Sequence, residues 1–148
     1  MTRRYLFLCI GNSCRSQMAE GFARHYTEVH DLDIEVRSGG TVPSGRVDPD
    51  AIRVMAERGI DIIDQTSGPM DLGFAEEADR ILTMGCSAEE ACPARLFTKI
   101  EDWGLEDPVG KDLDTFRRVR DEIEGHVRTL LGITTSGPFR AERDAPTA

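Results

Sequence analysis

Cys9-Ile10-Gly11-Asn12-Ser13-Cys14-Arg15-Ser16 sets a thiol, five residues and then an arginine in one short run. A loop of that length closing onto a helix turns several backbone N–H groups toward one small tetrahedral anion, and the helix N-terminus adds its partial positive charge. Arg15 brings a rigid fork for two of the anion's oxygens, and the same positive surroundings favour a Cys9 thiolate beneath it. Gly11 opens backbone conformations closed to other residues, and Asn12 tolerates a left-handed one. Ser13 and Ser16 offer hydroxyls to the anion or to the thiolate. The predicted chemistry is attack by Cys9 on a bound oxyanion, with Ile10, Gly11, Asn12, Ser13, Cys14, Arg15 and Ser16 as its cradle. A Cys-x5-Arg spacing alone arises by chance in many chains, so the elements around it decide its meaning.

Those elements suit it. The apolar run Arg4 to Cys9 reads as a buried strand, and from Gln17 to Tyr26 a helical pattern places Met18, Ala19, Phe22, Ala23 and Tyr26 on one face with Glu20, Arg24 and Glu28 facing out. A second strand is expected from Ile34 to Ser38 and a helix from about Asp50, with Asp48-Pro49 as its start signal. A short helix over Asp71 to Glu77, a buried strand Arg80 to Met84, a short strand through Lys99 and Ile100 and a long amphipathic helix Leu113 to Leu131 complete the pattern. Residues 85–93 read as a loop or frayed helix holding two cysteines. Alternation of strand and helix predicts an α/β fold, a parallel sheet covered by helices on both faces. Ligands of such sheets bind beyond the carboxyl ends of the strands, where the Cys9 loop falls.

Residues 1–131 read as a single domain and 132–148 as a mobile tail. The 148 residues carry a net charge of −9, which argues against nucleic-acid and anionic-membrane partners. No apolar run is long enough to span a membrane and no secretory leader is evident, so a cytoplasmic protein is expected. In that compartment four cysteines are better read as redox or catalytic groups than as structural bridges.

From Cys9 through Glu20 the chain resembles the arsenate reductases built on the low-molecular-weight protein tyrosine phosphatase fold. The resemblance extends through Val36-Arg37-Ser38-Gly39-Gly40, Ile81-Leu82-Thr83-Met84-Gly85-Cys86 with Cys92-Pro93, Trp103 to Lys111 and Phe116 to Ile123. It implies a four-stranded parallel sheet flanked by helices, and it implies that Asp107, stiffened by Pro108, is the proton donor. Some members bind potassium through residues matching Asn12, Glu20, Ser38 and an aspartate. Gly68 stands in the aspartate's place here, and neither a metal nor a cofactor is expected.

Two chemistries share this fold, and both begin with Cys9 attacking a tetrahedral centre while Arg15 and backbone amides stabilise the developing charge. A phosphatase needs only water to finish. An arsenate reductase needs two electrons, which a second thiol supplies by attacking Cys9 and expelling arsenite as a disulfide forms. Cys86 and Cys92 are the candidates for that relay, although two small buried residues or part of a zinc site would fit the same types. Gln17, where the phosphatases carry proline, and Val109-Gly110-Lys111, where they carry tyrosines, also favour the reductase. The expected partners are arsenate or phosphate and thioredoxin or a similar thiol reductant. The alternative is a phosphatase of phosphotyrosine or small phosphate esters, with an anion-sensing module that has lost turnover as a third possibility.

Overall fold

The computed structural model describes residues 1–85 and 100–133. Cys86, Cys92 and the segment between them, together with Lys99 and the tail from residue 134, lie outside the described residues. The elements run β1 (Arg3–Cys9), α1 (Arg15–Val29), β2 (Ile34–Gly40), α2 (Pro49–Ala56), α3 (Leu72–Glu77), β3 (Arg80–Thr83), β4 (Ile100–Asp102) and α4 (Leu113–Leu131). The four strands form one sheet in the order β2-β1-β3-β4, every neighbouring pair parallel. The predicted fold class is the one found.

β1 is paired along both edges, by β2 and β3, helices cover both of its faces, and its side chains divide by parity. Tyr5, Phe7 and Cys9 join the larger core with Met18, Phe22 and Tyr26 of α1 and Phe116, Val119, Ile123 and Val127 of α4. Leu6 and Leu8 point the other way, into a smaller core with Phe74, Ala75 and Ala78 of and beside α3 and with Ile81. Each fully buried Phe or Leu in these layers stabilises by about 1.5–3 kcal/mol. Charged clasps tie the rim: Glu57, just past α2, accepts from Arg117 at 2.9 Å and from Arg120 at 2.7 Å on α4.

Three of the four described helices begin with an aspartate whose side chain accepts a backbone N–H: Asp48 from Asp50, Asp71 from Phe74 and Asp112 from Thr115. α1 begins at Cys14 with no side-chain cap. Its N-terminal dipole is therefore left open toward the Cys9 loop. α1 also starts two residues before the apolar pattern does, because Arg15 and Ser16 wind into helix while serving the loop. β2 runs on to Gly40 rather than stopping at Ser38. A Cβ on Gly40 would lie 2.6 Å from the carbonyl oxygen of Ile10, so only glycine lets the strand pass that close to the loop.

Candidate active site

The loop is built from the outside. The carbonyl of Ile10 accepts from Val42 N at 2.9 Å, that of Gly11 from Ser44 N at 2.9 Å, that of Ser13 from Asp48 N at 2.8 Å and that of Cys14 from Met18 N at 2.9 Å. The carbonyl of Asn12 accepts from Gln17 Nε2 at 3.0 Å. Five successive carbonyls are thus tied outward. Since each peptide is planar and trans, the N–H groups of residues 11–15 point the opposite way, toward the loop's centre. Asn12 N accordingly donates to Cys9 Sγ at 3.2 Å. The turn is made by Asn12, whose φ of 46° is left-handed, while Gly11 adopts no positive φ. The expectation of a special backbone at Gly11 is therefore moved one residue on, to the side chain that tolerates it.

Cys9 closes the end of β1, where the register sets it opposite Gly40. Its sulfur lies 2.9 Å from Ser16 Oγ. Asn12 Nδ2 donates to Ser16 Oγ at 2.8 Å and to Ser38 Oγ at 3.0 Å, and Asn12 Oδ1 accepts from Gly68 N at 3.0 Å. Ser38 Oγ donates in turn to Glu20 Oε1, and Glu20 Oε2 accepts from Arg24 Nε at 2.7 Å. Glu20 was expected to face solvent beside Arg24 and Glu28, yet it is buried. β2 crosses that side of α1, and Ser38 and Arg24 supply the partners a buried carboxylate needs. The helical period alone could not show this, because the partner that buries Glu20 comes from another element.

Arg15 is split between two tasks. Its Nη1 donates to the carbonyls of Met84 and Leu105, the latter at 3.1 Å. Its Nε is buried and has no protein acceptor among the described residues, and Nη2 lies 3.8 Å from Asp107 Oδ2. The Nε and Nη2 edge is the fork left to grip two oxygens of an anion. Met84 and Gly85, the residues that lead into Cys86, therefore lie against Arg15. A Cβ on Gly85, whose φ is +98°, would meet Leu105 O at 2.5 Å.

Asp107 stands at the mouth of the loop, its side chain about half exposed, with Oδ1 accepting from Val109 N at 3.1 Å. Cys14 Sγ lies 3.9 Å from the same oxygen. Burial, then the charge of Asp107 and then that of Cys9, push the Cys14 thiol up to about 12. It stays a thiol at neutral pH. Beside Asp107, Glu106 is held below the usual carboxylate range by Lys111 and then Arg118. That clasp ties the loop that carries Asp107 to α4.

Of the residues named from sequence, the structure brings Cys9 through Ser16 and Asp107 together, and Cys86 and Cys92 lie outside the described residues. The resemblance had grouped Glu20, Ser38 and Gly68 with Asn12 only as a cation site and not as supports of the loop, and sequence reasoning missed Gln65, whose Nε2 donates to Gln17 Oε1 at 2.8 Å behind the loop. No group of three or more His, Cys, Asp or Glu suited to a metal occurs among the described residues. The potassium site expected of some relatives does not fit. Gly68 has no side-chain oxygen, Asn12 Oδ1 is taken by an amide, and Glu20 is taken by Arg24.

Comparison with known proteins agrees with this geometry. The chain is 45% identical to an arsenate reductase of Staphylococcus xylosus over 119 residues, 80% of this chain and 88% of that one. It is 43% identical to one of Brevibacillus brevis over 123 residues, 82% and 89% of the two chains. Among solved structures it is similar to an arsenate reductase in the phosphate-binding state, with a TM-score of 0.77, 39% identity and coverage of 90% of this chain and all of the other. It is also similar to a low molecular weight protein tyrosine phosphatase from T. tengcongensis, with a TM-score of 0.78, 29% identity and coverage of 88% and 99%. The family model for low molecular weight phosphotyrosine protein phosphatases matches residues 4–137, and the chain belongs to that family.

Proposed function

We propose that this protein is an arsenate reductase. The loop supplies the oxyanion site that both chemistries of this fold need, with five outward-tied carbonyls, the open N-terminus of α1 and the unclaimed Nε edge of Arg15 around Cys9 Sγ. The observation that carries the reductase reading is the mouth of that loop. The described aromatic rings are packed inside the fold, and Trp103 is stacked on His126 at 4.8 Å, while Val109 is exposed beside Asp107. Among the described residues a phosphotyrosine ring finds little to stack on at the mouth. A bare oxyanion needs no such wall.

In the mechanism, the Cys9 thiolate attacks arsenic and forms an S–As bond, and one arsenate oxygen leaves as water with a proton from Asp107. Arg15 and the loop amides hold the remaining oxygens as charge develops. A thiolate from Cys86 then attacks Cys9 sulfur. A disulfide forms, the S–As bond breaks with its electron pair left on arsenic, and arsenite departs. Cys92 next attacks Cys86 and frees Cys9, and a dithiol protein such as thioredoxin reduces the resulting disulfide. The departure of the chain from Met84 and Gly85, beside Arg15, supports Cys86 as the first attacker.

The test couples the protein to thioredoxin, its reductase and NADPH. Arsenate-dependent NADPH consumption is expected, and none with any thiol donor sinks the reading. Cys86→Ser should abolish that consumption and leave hydrolysis of p-nitrophenyl phosphate intact; equal loss of both removes the relay.

A further inference from the structure

Two carbonyls from different chain segments steer Arg15, and one carboxylate oxygen brings those segments together. The last register pair of β3 and β4 is Thr83 with Asp102, and Trp103 N donates to Thr83 O at 2.8 Å. There the two strands end, and Asp102 Oδ1 takes over from the ladder. It accepts from Thr83 Oγ1 at 2.9 Å, from Gly85 N at 2.8 Å and from Gly104 N at 3.3 Å. Gly85 N and the Met84 carbonyl belong to one planar trans peptide, so fixing the N–H on Asp102 aims the C=O the opposite way, at Arg15 Nη1. Gly104, held by the same oxygen with a φ of +62°, directly precedes Leu105, whose carbonyl accepts from that Nη1 at 3.1 Å. The bare Cα of Gly85 is what lets the two segments meet, because a Cβ there would also lie 3.0 Å from Nη1. With Nη1 held between two carbonyls, a guanidinium only 7% exposed has its Nε and Nη2 edge left for an anion.

We propose that Asp102 is a positioning residue for Arg15: by gathering Thr83, Gly85 N and Gly104 N it sets the Met84 and Leu105 carbonyls, and these aim the free edge of the guanidinium before any oxyanion arrives. None of the described bonds of Asp102 goes to residues 9–16, so it acts through the two carbonyls. Without it the Met84–Gly85 peptide can turn, and anion binding has to order a guanidinium that the wild type holds ready. The inference rests on Arg15 gripping the oxyanion, as in the proposed function, and is independent of whether arsenate is reduced or a phosphate ester hydrolysed.

The test titrates inorganic phosphate as a shield of Cys9 against iodoacetamide at pH 7 on the intact chain, read by mass of the Cys9 peptide, which gives a phosphate dissociation constant. Asp102→Ala should raise that constant about tenfold. Simple electrostatics has the opposite sign, since removing a negative charge from an acidic protein tightens anion binding. Asp102→Asn loses the charge but keeps an acceptor oxygen, and should stay at the wild-type constant or below it. Asp102→Ser ends one bond short of the carboxylate oxygen and should raise the constant about fivefold, which keeps the test valid if Asp102→Ala folds poorly. In an Arg15→Lys background, which has the charge but not the fork, adding Asp102→Ala should change the constant less than about twofold. A purely structural knot lowers the urea midpoint of Asp102→Ala and leaves its phosphate constant unchanged, and that result overturns the proposal. So does an Asn variant as weak as the Ala variant, or an equal loss in the Arg15→Lys background. A wild type that phosphate does not shield removes both this inference and the oxyanion site under the proposed function, whereas failure to reduce arsenate removes the reductase reading alone.

Discussion

Replacing Asn12 separates what the loop's backbone requires from what its side chain supplies. Asn12→Ala leaves a φ of 46° to a residue that tolerates it poorly, which costs about 1 kcal/mol, up to 2. It also removes the bonds to Ser16, Ser38 and Gly68 N. The first two lost partners are hydroxyls that can turn to others, so the half-buried Gly68 amide dominates, at about 1–2 kcal/mol. The expected loss is about 2–4 kcal/mol in urea unfolding with an unchanged slope. Asn12→Gly restores the backbone freedom and should recover about 1 kcal/mol of it, the part owed to strain. Asn12→Asp keeps the acceptor for Gly68 and the left-handed tolerance, so most stability should remain. Its carboxylate draws the Ser16 proton away from Cys9, so alkylation at pH 6 should slow several-fold. The reasoning is refuted if Ala and Gly variants unfold at the same urea concentration, or if the Asp variant alkylates at the wild-type rate.

Asp107→Asn should lower p-nitrophenyl phosphate hydrolysis about 10²–10⁴-fold if, as proposed, its proton goes to the leaving oxygen; a loss under threefold would place the acid elsewhere. Iodoacetamide at pH 8 should label Cys9 and spare Cys14, whose thiol is pushed up to about 12, and equal labelling in peptide mass maps would contradict that upward shift. Arg117 first, and Arg120 after it, lower Glu57 from 4.5 to about 2. A carboxylate depressed in the folded state contributes stability above its unfolded value and loses it as pH falls through the folded one. The urea midpoints of wild type and Glu57→Gln should therefore differ above pH 5, by no more than about 1 kcal/mol for so exposed a group, and converge between pH 4.5 and 2. A constant difference across that range would show that the clasp is not electrostatic.

The loop from Cys9 to Ser16 was legible because it depends on local types: a thiol, a residue that tolerates a left-handed turn, hydroxyls and an arginine within eight positions, closed by a helix. α4 was legible to the residue, Leu113–Leu131, because Asp112 caps it and Gly132 ends it with a φ of 73°. What the sequence hid was long-range. Glu20 shares i, i+4 spacing with Arg24, a pattern that reads as a solvated face, and only the passage of β2 across it reveals the burial. Asp107 stands 93 residues from Cys14, and nothing in the spacing shows that the two share an edge of the site. The work of Arg15 on the Met84 and Leu105 carbonyls was equally invisible, since main-chain acceptors leave no mark on residue type.

The parity of β1 has a further consequence. Cys9 shares the α1 side of the sheet with Tyr5 and Phe7 because it stands an even number of residues from each. Deleting any one residue between Tyr5 and Cys9 would break that count, sending either the thiol or its core neighbours to the α3 side. The strand therefore works as a counter, and the chain can vary there in what each residue is but not in how many there are.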